Sequence, residues 1–182
     1  QKYYTELDSD KDINNLLEQI KSRLHPMDVI RTIVSYIGES EKKSDLEATT
    51  QISAAVAYVI ASYNDSKTSE LNDEYTVASS MLSDEASKDQ LQALDDILIL
   101  YAEHGFNAST FATRVTGSTR SDLTSSIVSG IGTLKGELHG GANERAVELI
   151  NSFQDVEDAT VGVMKMLDEK KKIMGFGHGV YK

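Results

Sequence analysis

Across 182 residues the chain has a single proline, Pro26, and its apolar residues return every three or four positions. That combination confines it to helices. Such spacing gathers side chains into one stripe only on a backbone of 3.6 residues per turn, and strand-rich domains need more frequent turn punctuation. In SDKDINNLLEQIKSRLH the stripe is Ile13, Leu16, Leu17, Ile20 and Leu24, with Ser9 as the expected cap. Pro26 opens the next helix, carrying Val29, Ile30, Ile33, Val34 and Ile37, because a missing N–H is harmless in a first turn. Ile52, Val56, Val59 and Ile60 mark another face. So do Leu91, Leu94, Ile97, Leu98 and Tyr101, with Gly105 as the expected stop, and then Leu123, Ile127, Val128, Ile131 and Leu134. Further helices are expected to start near Asn143 and near Asp158, while ESEKKSDLE and YNDSKTSELNDEY lack a core-facing period and predict surface connections. The expected fold class is all-α.

The length suffices for one well-buried domain, or one domain and part of a second. No internal repeat or low-complexity tract divides it, and the glycine pair at 140 and 141 is the candidate hinge. There is no cysteine, so neither a disulfide framework nor a thiolate metal site is available. No apolar run approaches the roughly 20 residues that cross a bilayer. The opening QKYYTELDSDKD has neither secretory nor transit character, so the expected location is cytoplasmic. Eighteen Lys and Arg against 29 Asp and Glu leave a net charge of −11. General attraction to nucleic acid or an anionic membrane is therefore not expected, and any anionic ligand must be caught by local geometry.

Three of the four histidines sit beside glycine: His104 in AEHGFNASTF, His139 in GELHGGANERAV and His178 in GFGHGVYK. With Asn143 as the expected cap of the following helix, His139 falls close to a helix start, where amide dipoles favour a neutral imidazole that can donate to a carbonyl oxygen. Gly140 and Gly141 would let a bulky ligand approach the backbone there; the alternative is a structural histidine beside a tight turn. His104, at the end of an amphipathic helix, could hold a carboxylate or simply satisfy the last carbonyls. After it, Asn107, Ser109 and Thr110 can cap the next helix. Around His178 the glycines suit main-chain contact with a flat ligand. A dinucleotide loop is disfavoured, because EKKKIM rather than a strand precedes it. Lys170, Lys171 and Lys172 read as a solvated helix end, with phosphate contact as the minority alternative. His25, next to Pro26, looks structural. No H-x-x-x-H and no G-x-S-x-G occurs, so neither a zinc site nor a serine hydrolase is supported.

Taken in order, LHPMDVIRT, YAEHGFNASTFATRV, LKGELHGGANERAVELI and KKIMGFGHGVYK resemble the citrate synthase family, including 2-methylcitrate synthases, in its prokaryotic branch. The resemblance runs from about His25 to Lys182 and implies an all-α enzyme that condenses acetyl-CoA or propionyl-CoA with oxaloacetate through an enol. It implies that His139 hydrogen-bonds the thioester carbonyl, His178 donates to the oxaloacetate ketone, and His104 helps to bind an oxaloacetate carboxylate. Ile173, Gly175, Phe176, Gly177 and Gly179 would present backbone to the CoA adenine region. It further implies no metal, no cofactor beyond the acyl-CoA substrate, and a homodimer. Residues 1–139 would belong to a large helical domain and 140–182 to the start of a small one. Two positions depart from the family pattern. Glu137 replaces the usual proline, which is expected to loosen the approach to His139, and Gly179 stands where many prokaryotic members have arginine. The family's D-P-R segment, its aspartate general base and further substrate arginines are expected beyond Lys182, and more chain before Gln1. The 182 residues are accordingly expected to be an internal piece, inactive alone. A non-catalytic helical association module, or a degenerate homologue, is the alternative from another class.

Overall fold

The computed structural model describes residues 2–38, 44–64, 76–82, 85–103 and 105–177. Among them every regular element is helical: α1 (Lys2–Ser9), α2 (Lys11–Ile20), α3 (Pro26–Ile37), α4 (Asp45–Tyr63), α5 (Thr76–Met81), α6 (Lys88–Tyr101), α7 (Ala108–Ser118), α8 (Leu123–Leu134), α9 (Gly141–Asn151) and α10 (Val156–Asp168). The chain forms two compact units, 1–132 and 133–182, divided within the last turn of α8. No described helix is long and apolar enough to cross a membrane.

In the first unit the core is built by α1 to α5, with half-buried residues of α6 and α8 packed against it. The predicted face of α3 is buried at all of its positions, Val29, Ile30, Ile33, Val34 and Ile37, and His25 is indeed structural: its Nδ1 caps the helix by accepting from the Met27 amide at 3.2 Å. Each such fully buried Ile or Val contributes roughly 1.5–3 kcal/mol. Around α4 the single predicted stripe is too narrow. Ile52 and Val59 are buried and Val56 and Ile60 half-buried, but Ala55, Ala57, Tyr58 and Ala61 are buried as well. The cause is position, since α4 is packed by α1, α3 and α5, and a helix with several neighbours buries more than one face over the part they cover, here 52–61. It also starts earlier than the polarity of ESEKKSDLE suggests. Ser44 and Glu47 form a capping box, so the end of that stretch is already helix.

Two short helices escape the periodicity. QKYYTELDSDKD contains α1, anchored by Tyr4 and Leu7, and the Tyr4 ring meets Tyr58 edge-on at a centroid distance of 5.4 Å. Burial, followed by the field of Asp8, holds the Tyr58 hydroxyl above its ordinary pKa, and that hydroxyl donates to Asn14 Oδ1. Helix α5 is the other. Ser9 ends α1 instead of capping α2; the cap is Asp10, whose Oδ1 accepts from the Asp12 and Ile13 amides at 2.9 and 3.1 Å. Helix α2 then stops at Ile20, which leaves Leu24 in a turn and 43 % exposed. On α6 the predicted stripe is only half-buried at Leu91, Leu94 and Leu98 and exposed at Ile97 and Tyr101, and Ile99 and Leu100, off the stripe, are exposed as well. Most of YNDSKTSELNDEY, at 65–75, lies outside the described residues.

Helix α8 is capped by Asp122. Its carboxylate accepts from the Ser125 hydroxyl and the Ser125 amide, both at 2.7 Å, and these bonds hold its pKa below the ordinary carboxylate value. Gly130 is buried on α8 because a Cβ there would run into Thr113 Oγ1 of α7, so the two helices approach at a bare backbone.

In the second unit α9 and α10 are joined by a short turn in which the Phe153 ring lies over Gly162. Both helices begin two residues before the predicted starts: α10 is capped by Asp155, which accepts from the Glu157 and Asp158 amides at 2.9 Å. None of the residues of α9 or α10 is fully buried.

Candidate active site

The segment from α8 to α9 closes on itself. After α8 ends at Leu134, the Gly136 amide donates to Thr133 O (3.0 Å), His139 N to Gly136 O (2.9 Å), Gly140 N to Leu134 O (2.9 Å) and Gly141 N to Gly136 O (3.1 Å). The His139 carbonyl then accepts from Ala142 N at 3.1 Å, which starts α9. His139 is half-buried and directly precedes Gly140, the N-cap residue, which is helical in conformation (φ −62°, ψ −31°) and makes no side-chain cap bond. Asn143 is therefore not the cap; it lies inside the first turn. A side-chain cap is unnecessary here because the turn's own carbonyls take up the first amides.

That closure gives Gly140 and Gly141 a reason other than ligand approach. A Cβ at Gly140 would stand 2.5 Å from Leu134 O, and one at Gly141 3.1 Å from Gly136 O. Both positions are bare because backbone carbonyls already occupy the space. The turn also explains how Glu137 is accommodated: its Oε1 lies 3.5 Å from Arg145 Nη2 on α9, and Arg145 Nε lies 3.9 Å from Glu148 Oε2. The partnership of Glu137 and Arg145 escapes a reading of the sequence, because residues eight apart across a helix boundary obey no local spacing rule.

The second candidate segment follows α10. Lys170 takes a left-handed conformation (φ 52°), with its amide on Leu167 O (3.0 Å) and that of Lys171 on Met166 O (2.8 Å), the bond pair of a Schellman helix end. The three lysines thus lie past the helix, exposed, and Lys171 pairs with Glu169 at 2.6 Å. Ile173 is half-buried and its carbonyl accepts from Phe176 N at 3.4 Å, while the Phe176 side chain is 78 % exposed. Gly175 (φ 90°) and Gly177 (φ 75°) adopt backbone that only glycine takes without strain. Gly175 also backs onto α9, where a Cβ on it would lie 3.4 Å from Cβ of Ala146. The loop and the His139 turn therefore adjoin the same helix, roughly 7.5 Å of axial rise apart between Gly141 and Ala146.

His104, His178 and Gly179 lie outside the described residues. Next to His104, α6 ends at Tyr101, before the predicted stop, and Gly105 (φ 67°) donates its amide to Glu103 Oε1 at 2.6 Å. Asn107 caps α7 as expected, with its Oδ1 accepting from Thr110 N (2.9 Å) and Ser109 Oγ (2.7 Å). Among the described residues no group of three or more His, Cys, Asp or Glu is placed to hold a metal ion.

Among the described residues every element is helical, and a glycine-closed turn places His139 at the start of α9, as a helical enzyme class that the sequence motifs also point to would require. The family model described as citrate synthase, C-terminal domain, matches residues 2–182, and the chain belongs to the citrate synthase family. It is 39 % identical over 183 residues to the 2-methylcitrate synthase of Shewanella oneidensis, covering 93 % of this chain and 49 % of that protein. With the citrate synthase of Mycolicibacterium smegmatis it shares 34 % identity over 188 residues, covering 95 % and 50 %. Among solved structures, the ternary complex of carboxymethyl coenzyme A and oxaloacetate with the citrate synthase of the archaeon Thermoplasma acidophilum matches with a TM-score of 0.75 at 26 % identity, over 99 % of this chain and 52 % of that one. The chain spans about half the length of the curated relatives it matches.

Proposed function

We propose that the protein containing this chain is an acyltransferase that condenses acetyl-CoA or propionyl-CoA with oxaloacetate, giving citrate or 2-methylcitrate and free CoA. The observation that carries this reading is the His139 turn, in which backbone hydrogen bonds hold a half-buried histidine at the start of α9. The α-proton of a thioester is weakly acidic. Its removal needs a base acting together with a fixed donor to the carbonyl oxygen, and one such donor is worth about 10²–10³ in rate. His139 is that donor. The enol carbon attacks the ketone carbon of oxaloacetate, whose oxygen is polarised by His178 and whose carboxylate is held by His104. Water then cleaves the thioester and releases CoA. Ile173, Gly175, Phe176, Gly177 and Gly179 offer main-chain contacts to the CoA adenine, a role suited to the left-handed glycines at 175 and 177.

Residues 1–139 belong to a large domain and 140–182 to a small one, the enzyme works as a cytoplasmic homodimer, and it uses neither a metal nor a cofactor beyond the acyl-CoA. The resemblance assigns the general base to none of the 182 residues, so residues 1–182 alone release no CoA from acetyl-CoA or propionyl-CoA in the presence of oxaloacetate. The deciding experiment uses the full natural chain in D₂O. His139→Ala is expected to abolish deuterium exchange at the acyl α-carbon while oxaloacetate still binds; exchange at the wild-type rate would remove His139 from the reaction.

A further inference from the structure

Glu137 sits at the outer bend of the turn and Arg145 in the second turn of α9, and their charged atoms are 3.5 Å apart. Arg145 also reaches Glu148 at 3.9 Å, so one guanidinium spans a carboxylate on each side. The backbone bonds of the turn tie His139, Gly140 and Gly141 back to Gly136 and Leu134. The His139 to Gly136 bond closes the bend across 137 and 138; the Leu138 side chain is 91 % exposed, and Glu137 links the bend to α9. A proline in place of Glu137 would stiffen such a bend by fixing φ. Glutamate cannot, but it can be tethered.

We infer that Arg145 is a positioning residue for His139: through Glu137 it clasps the 136–140 turn to α9 and fixes where the imidazole stands. This rests on the proposed role of His139. A second consequence is electrostatic, because Arg145 offsets a carboxylate two residues from the histidine that is proposed to meet a polyanionic acyl-CoA. The clasp is exposed, with side chains 55 % and 73 % accessible for Arg145 and Glu137, so its strength is that of a surface pair and depends on salt.

The test uses Arg145→Gln, Glu137→Gln and the double variant in the full natural chain, with two readouts. Amide hydrogen exchange at His139, Gly140 and Gly141 reports the clasp directly. It should accelerate roughly twofold to fivefold in each single variant, the range open to an exposed pair, and no further in the double. Near 1 M salt, where the Debye length is about 3 Å, the wild type should approach the variants. Deuterium exchange at the acyl α-carbon should slow by a similar factor at saturating acyl-CoA, with oxaloacetate affinity unchanged and with Arg145→Lys restoring most of the rate. Unaltered amide exchange in Arg145→Gln would overturn the clasp, and faster amide exchange with an unaltered α-carbon rate would overturn its positioning role. If His139→Ala keeps wild-type α-carbon exchange, the assignment beneath the inference fails instead, and the amide data tell the two failures apart.

Discussion

Gly140→Ala separates two reasons for a glycine next to His139. The backbone at Gly140 is right-handed helical, a conformation alanine prefers, so the substitution by itself should stabilise by about 0.4–1 kcal/mol through the unfolded chain. Against this, the new Cβ would lie 2.5 Å from Leu134 O, the acceptor of the Gly140 amide. Relief requires the turn to move off the end of α8 by several tenths of an ångström, and the obstacle is a backbone atom with no rotamer to change. Overpacking of this kind costs about 1–3 kcal/mol, and weakening the Gly140 to Leu134 bond adds about 0.5–1.5 kcal/mol. The expected net loss is about 0.5–4 kcal/mol. Urea unfolding of the full natural chain should show it as a lower midpoint at unchanged m. If Gly140 were bare only to admit a ligand, Gly140→Ala would be as stable as the wild type or more so, with only acyl-CoA affinity reduced; that outcome would refute the steric argument.

Lys170 occupies a left-handed position at the end of α10 that favours glycine, so Lys170→Gly should relieve about 1–2 kcal/mol of strain against about 0.4–1 kcal/mol of unfolded-chain entropy, a net gain measured by the same unfolding curves. Asp122 is a cap whose folded pKa is depressed chiefly by its bond from the Ser125 hydroxyl. Its contribution is therefore present above the unfolded carboxylate value and lost as pH falls through the folded one. Asp122→Ala should cost about 1 kcal/mol at neutral pH, a difference that shrinks below about pH 4. Asp122→Asn, which retains a capping oxygen, should keep most of the stability and remove this part of its pH dependence. Light scattering on the intact protein should return a dimer mass, and a monomer at high concentration would refute the proposed assembly.

Much of this architecture is legible in the residue order. Helix type follows from periodicity, and α3 matches its predicted face because a helix buried on one side records that side in its spacing. The histidine-glycine motifs and their order are linear features too, and so they carry the family. Where the reading fails, the deciding contact lies beyond a helical turn. Ser9 and Asp10 are equally good caps by type, and the choice between them depends on where α1 ends, which the burial of Tyr4 and Leu7 sets. The burial of Ala55, Ala57, Tyr58 and Ala61 on α4 depends on three neighbours, all farther along the chain than a helical turn.

The same division runs through the site. Residue types announce an imidazole among glycines at a helix start, since local rules reach three or four positions along the chain. That Gly140 and Gly141 are bare for the sake of the Leu134 and Gly136 carbonyls, and that Glu137 is tied to Arg145 instead of hanging free, are consequences of how the end of α8 folds back onto α9. Contacts of that kind exist only after distant backbone has been brought within van der Waals range, and a linear pattern holds no trace of them.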